Sequence, residues 1–143
     1  MRDETRLIQT CKLTKLSNYH RYNDSSVKVA CTIYRGSVRI AASVNQRKTH
    51  PVMSKYNDVY IDYSKKPFLH AEINALIQAG WREGEKNLTG CTLYVARKLN
   101  SSGYGNACPC PTCMAAIKDA GIKKIVYTSC NGYCTFFMTN LEV

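Results

Sequence analysis

Two hydrophobic periods alternate along the chain. Near the start, Leu7, Ile8, Cys11, Leu13 and Leu16 stand among polar residues at helical spacing, which predicts an amphipathic helix over residues 4–19. Residues 27–33 and 38–44 read as strands, and Arg35-Gly36-Ser37 between them is turn chemistry, so the pair predicts a hairpin. Residues 70–79 carry Ala71, Ile73, Ala75, Leu76, Ile77 and Ala79 at helical spacing up to Gly80. A third strand is predicted over 91–96. A helix over 110–120 follows, with Pro111 at its start and Gly121 past its end. Residues 122–128 and, more weakly, 135–138 complete the strands. The order β-β-α-β-α-β-β predicts a three-layer α/β arrangement whose later strands are joined by helical crossovers.

Residues 46–69 keep neither period and contain Pro51 and Pro67. A connection this long reads either as a binding loop or as a short helical turn with Tyr56, Tyr60 and Tyr63 facing the core.

Length and composition narrow the class. The chain has 143 residues, the size of a single domain, and 45% hydrophobic residues, enough for a core without disulfide staples. No apolar run approaches the ~18–20 residues needed to cross a bilayer. The opening Met1-Arg2-Asp3-Glu4-Thr5-Arg6 lacks the apolar block of a secretory signal, so a cytoplasmic address with no membrane partner is expected. In a reducing compartment the eight cysteines read as core residues, metal ligands or free thiols rather than as a disulfide framework. Cys31 and Cys91 lie in predicted strands and are expected in the core.

The net charge of +10 comes from basic residues spread along the chain. It fits a solvated basic surface, and equally an attraction to phosphate on a mononucleotide or along a nucleic-acid strand. Candidate phosphate contacts are Arg47, Lys48, Lys65, Lys66 and Arg97.

Two fragments carry chemistry: His70-Ala71-Glu72 and Pro109-Cys110-Pro111-Thr112-Cys113. Each opens a predicted helix. A C-x-x-C on a first helical turn places both sulfurs near exposed N–H groups and the positive end of the dipole, which favours thiolate, the metal-binding form. His70 supplies a nitrogen donor. Three protein ligands on tetrahedral zinc leave one position for water, the arrangement of a catalytic rather than a structural site. Glu72, two residues past His70, is placed to handle the protons of that water. The alternative is a closed structural zinc site completed by Cys108 or Cys130. A second metal site from Cys108, Cys130 and Cys134 with His50 is a further reading of the remaining cysteines.

The H-x-E and P-C-x-x-C pair is the established signature of zinc-dependent nucleobase deaminases. From about Val27 to Thr128 the sequence resembles the cytidine deaminase-like superfamily, most of all its deoxycytidylate and tRNA-editing branch. His70-Ala71-Glu72-Ile73-Asn74-Ala75-Leu76 resembles that family's first zinc helix. Thr92-Leu93-Tyr94-Val95, Pro109-Cys110-x-x-Cys113 and Ala120-Gly121-Ile122-Lys123-Lys124-Ile125-Val126-Tyr127 resemble its second half. The resemblance implies an α-β-α sandwich on a mixed five-stranded sheet, Zn2+ on His70, Cys110 and Cys113, and Glu72 as catalytic proton carrier. It also implies that Asn45 contacts sugar and base, that the Ala71 N–H binds the base carbonyl, and that copies of the chain self-associate. The expected reaction is hydrolytic loss of the C4 amine of cytosine, on a free nucleotide such as dCMP or, alternatively, on single-stranded DNA or tRNA. A reading of another class is a non-catalytic, zinc-stabilised nucleic-acid-binding module. The sequence departs from the family pattern in an extra loop, Leu99 to Gly105, and in Asn106-Ala107-Cys108 leading into the second zinc fragment.

Overall fold

A computed structural model describes residues 2–16, 28–49, 68–82, 84–99 and 103–138. The elements are α1 (Arg2–Lys12) with a 3-10 turn over Leu13–Leu16, β1 (Lys28–Arg35), β2 (Val38–Val44), β3 (Gln46–Thr49) and β4 (Phe68–Leu69). They continue with α2 (Ala71–Gln78), β5 (Thr92–Lys98), β6 (Tyr104–Gly105), α3 (Pro111–Ala120), β7 (Lys124–Ser129) and β8 (Gly132–Phe137).

The main sheet runs β2-β1-β5-β7-β8, with β6 added against the end of β5. Only β5 and β7 are parallel, joined by the α3 crossover; the other pairings are antiparallel. The sheet is therefore mixed, as expected, with a short sixth strand beside the five foreseen. Alternate residues of β5 show why both faces are covered. Leu93 and Val95 pack with Ile73, Leu76 and Ile117 of α2 and α3, whereas Tyr94 and Ala96 pack with Leu7 and Cys11 of α1. A strand buried on both sides reads as a continuous apolar run, which Thr92-Leu93-Tyr94-Val95-Ala96 is. Cys31 and Cys91 are core residues as expected.

Three local expectations are corrected. The first helix ends at Lys12, and its buried face is Arg6, Leu7, Thr10 and Cys11 rather than the apolar set. Ile8 is 40% and Leu16 64% exposed. Thr10 is accommodated inside because its hydroxyl bonds the Arg6 carbonyl and the Thr32 hydroxyl, and Thr14 bonds the Cys11 carbonyl. Within 46–69, Gln46–Thr49 and Phe68–Leu69 form a small antiparallel pair, while Tyr56, Tyr60 and Tyr63 lie outside the described residues. The last strand begins at Gly132 rather than at residue 135.

Both ends of α3 are fixed by special residues. Gly121 closes α3 in the left-handed region at φ 90°, and a Cβ there would sit 2.6 Å from Thr89 Oγ1. Pro111 occupies the first turn of α3, where its missing N–H costs nothing. Cys110 thus stands at the start of α3, and His70 stands at the start of the adjacent α2.

Candidate metal and active site

His70 and Cys110 are the N-cap residues of α2 and α3, both in extended backbone conformation. His70 Nδ1 lies 3.2 Å from Cys113 Sγ and 3.6 Å from Cys110 Sγ. The Cys113 N–H points at Cys110 Sγ at 3.5 Å. For a tetrahedral ion with Zn–S of ~2.3 Å and Zn–N of ~2.0 Å, neighbouring N and S donors stand about 3.5 Å apart. The spacing found here fits that donor set, and it assigns Nδ1 as the nitrogen facing the ion. The three residues are positioned to hold a zinc ion. Among the described residues they form the only group of three or more His, Cys, Asp or Glu whose donor atoms lie within 4.8 Å of one another.

No fourth protein donor therefore completes the set among the described residues. Cys108 and Cys130 are exposed, and neither joins His70, Cys110 and Cys113. Among the described residues the donor group therefore has the open rather than the closed structural form. Cys108 and Cys134 instead flank the Tyr127 hydroxyl, where burial and the two thiols push the phenol up to about 12. His50 lies outside the described residues.

Electrostatics prepare the sulfurs. A hydrogen bond from the Cys113 thiol outweighs burial and, with His70 and the Cys113 backbone N–H, lowers the Cys110 pKa to about 4. The donating thiol of Cys113, fully buried, is raised in turn. Burial would lower His70, but the Cys110 sulfur and the Glu72 carboxylate beside it raise it. Glu72, 6% exposed, is raised chiefly by that burial.

A cavity of about 310 Å³ opens over these groups, at the low end of small-molecule sites. Val29, Asn45, His70, Ala71, Glu72 and Arg97 share its wall with Asn106, Ala107, Cys108 and Cys110. Asn45 is held rigidly: its Oδ1 accepts from Val29 N–H at 3.2 Å and its own N–H donates to the Val29 carbonyl at 3.0 Å. The structure thus brings Asn45, Ala71, Glu72, Arg97, His70 and Cys110 to one cavity, with Cys113 buried behind them. Lys65 and Lys66 lie outside the described residues, as do the side chains of Arg47 and Lys48 on β3. Sequence reasoning did not single out Thr128, whose hydroxyl accepts the backbone N–H of the wall residue Arg97 at 3.0 Å, because that contact depends on strand register and leaves no local signal.

The fold, the zinc triad and a buried glutamate beside it define a zinc-dependent nucleobase-deaminase class of site. Comparison with known proteins agrees: the family described as the cytidine and deoxycytidylate deaminase zinc-binding region matches residues 1–129, and the chain belongs to that family. It is 31% identical over 96 residues to the deoxycytidylate deaminase of Enterobacteria phage T2; this covers 67% of the chain and 45% of that relative. The chain thus spans less than half of that relative's length. Among solved structures it resembles the dCMP deaminase of cyanophage S-TIM5, determined with dCMP and dUMP. That likeness has a TM-score of 0.56 at 24% identity over 88% of this chain and 79% of that one. It also resembles the cytidine deaminase of Burkholderia pseudomallei, with a TM-score of 0.58 at 16% identity over 96% and 94%. At these identities the two structures speak for the fold.

Proposed function

We propose that the protein deaminates the cytosine base of a free nucleotide, dCMP, to the uracil form with release of ammonia. The observation that carries this reading is a buried carboxylate, Glu72, in the wall of the cavity that opens onto a three-donor zinc site. A closed structural site has no use for a carboxylate there. When bound, zinc supplies Lewis acidity that lowers the pKa of a water toward ~7.

Glu72 takes a proton from the attacking water and delivers it to N3 of the cytosine ring, which makes C4 electrophilic. After the water oxygen has added to C4, the same carboxylate takes the remaining proton from the new C4 hydroxyl and passes it to the amine, which departs as ammonia while the C4 carbonyl forms. Its burial suits both tasks, because a raised pKa brings a carboxyl closer to neutral pH. The Ala71 N–H, on the first turn of α2, is one of the helix-start donors without an intrahelical acceptor and is directed to the base carbonyl. Asn45, braced by Val29, holds the sugar and base edge. The similarity to a phage deoxycytidylate deaminase supports the nucleotide as substrate.

The test is an ammonia-release assay on zinc-loaded protein with dCMP, deoxycytidine, single-stranded DNA and tRNA. Turnover of dCMP well above the others is expected. Turnover confined to a polynucleotide, or none on any substrate at full zinc loading, would overturn the reading.

A further inference from the structure

Gly105 has no conformational reason to be glycine: it is absent from the positive-φ residues, so an alanine would fit its backbone. It has a spatial reason. A Cβ at 105 would stand 2.9 Å from Arg97 Cδ, 3.2 Å from Arg97 Cγ and 3.0 Å from Leu99 Cδ2. The antiparallel register explains this, since Arg97 of β5 pairs with Gly105 of β6 and the arginine stem lies across the bare backbone. Arg97 is the one fixed cation among the described residues of the cavity wall. Among the described residues no carboxylate pairs with it.

Thr128 locks the same place from the neighbouring strand. Its hydroxyl accepts the Arg97 N–H at 3.0 Å and donates to the Gly105 carbonyl at 2.8 Å. Its side chain is 1% exposed, and its carbonyl accepts the Ala107 N–H at 2.9 Å. One residue of β7 thus fastens β5, β6 and the segment that leads to Cys110. The base of the β5–β6 hairpin is closed by Leu99 N–H to the Gly103 carbonyl at 3.2 Å.

We propose that Gly105 and Thr128 are positioning residues that lay the Arg97 side chain toward the 5′-phosphate of the substrate, so that this hairpin sets the preference for a nucleoside monophosphate over a nucleoside. The inference rests on the nucleotide reading given above. Arginine suits the task because its planar fork can grip two phosphate oxygens at once. The clash made by a methyl at 105 falls on the Arg97 stem and the end of the Leu99 side chain, and none of it on backbone. The substitution therefore turns the guanidinium away while the fold is kept.

The experiment measures kcat and KM for dCMP and for deoxycytidine in the zinc-loaded protein and in Arg97→Ala, Arg97→Lys, Gly105→Ala and the Arg97→Ala/Gly105→Ala double variant, with zinc content checked for each. Arg97→Ala is expected to raise KM for dCMP about 10- to 100-fold, the range for losing a hydrogen bond to a charged group, with kcat within about twofold. Gly105→Ala should reproduce most of that rise, and in both variants the ratio of kcat/KM for dCMP over deoxycytidine should fall about 10-fold or more. Arg97→Lys should recover part of the preference. The double variant, in which the arginine stem is gone and only the end of the Leu99 side chain must give, should match Arg97→Ala alone. Equal loss on dCMP and deoxycytidine, or additive effects in the double variant, would show Gly105 to be merely structural and overturn the inference. An unsubstituted protein without preference for dCMP would instead overturn the nucleotide reading itself.

Discussion

His70 Nδ1 lies 3.2 Å from Cys113 Sγ although the two residues are 43 apart in the chain. The contact exists because α2 and α3 begin side by side on one face of the sheet, each with a ligand at its N-cap. Helix starts leave N–H groups unsatisfied and carry a partial positive charge. The Cys110 sulfur therefore meets a donor that the fold already provides, the Cys113 N–H.

Replacing Glu72 separates chemistry from metal binding. Glu72→Gln keeps the shape and removes the proton carrier, so zinc content should stay at one per chain while kcat falls by ~10²–10⁴ or more. Mass spectrometry under native conditions gives the zinc count. Retained turnover would remove Glu72 from the proton path.

Metal occupancy should follow the ligands and their protonation. His70→Ala or Cys113→Ser should leave little zinc after dialysis, whereas Cys108→Ser and Cys130→Ser should retain it, since neither sulfur joins the donor group. Binding requires two thiolates and a neutral imidazole, so protons compete with the ion and affinity weakens as pH falls. Titration at several pH values with a colorimetric chelator measures this. Loss of zinc in Cys108→Ser would restore the four-ligand alternative.

Asp3 predicts an acid-side change in stability. Burial would raise its carboxyl, but hydrogen bonds from Tyr94 and Lys124, and the Lys124 charge, outweigh this and hold it below the usual range. The contacts are 2.6 Å to the Tyr94 hydroxyl and 2.9 Å to Lys124 Nζ. Unfolding releases them, so the unfolded carboxyl binds its proton at higher pH than the folded one. The contribution is thus complete above the unfolded value near ~4 and disappears as pH drops through the folded one. With a quarter of the side chain in solvent, it amounts to at most ~1 kcal/mol. Asp3→Asn should flatten the urea-midpoint curve between about pH 4 and pH 2; an unaltered curve would count against the ion pair.

Gly121→Ala should destabilise the protein by ~1–3 kcal/mol, because the residue would take a left-handed conformation and meet Thr89. Chemical denaturation of the zinc-loaded protein tests this. An unchanged midpoint would mean that the helix end readily rearranges.

The parts legible in the sequence are those where local and tertiary signals coincide. The run from Thr92 to Ala96 is apolar because β5 is covered on both faces, and Cys110 and Cys113 are tied to a helix whose start and end Pro111 and Gly121 announce, while His70 and Glu72 open the apolar helical run that follows them. β6 was hidden because two residues carry no period; only pairing with β5 makes them a strand. β8 was read too short because all six of its residues are exposed, so no alternation marks its beginning. The buried threonines of α1 look polar until their hydroxyls find Arg6, Thr32 and Cys11. Arg97 stood among five candidate cations, and strand register is what sets it over the cavity.

Thr128 ties together two properties that a designer or natural selection would wish to adjust separately. One hydroxyl steadies the strand that bears the arginine, and the carbonyl of the same residue anchors the approach to a metal ligand. Retuning ligand choice by moving this strand would disturb ion loading as well.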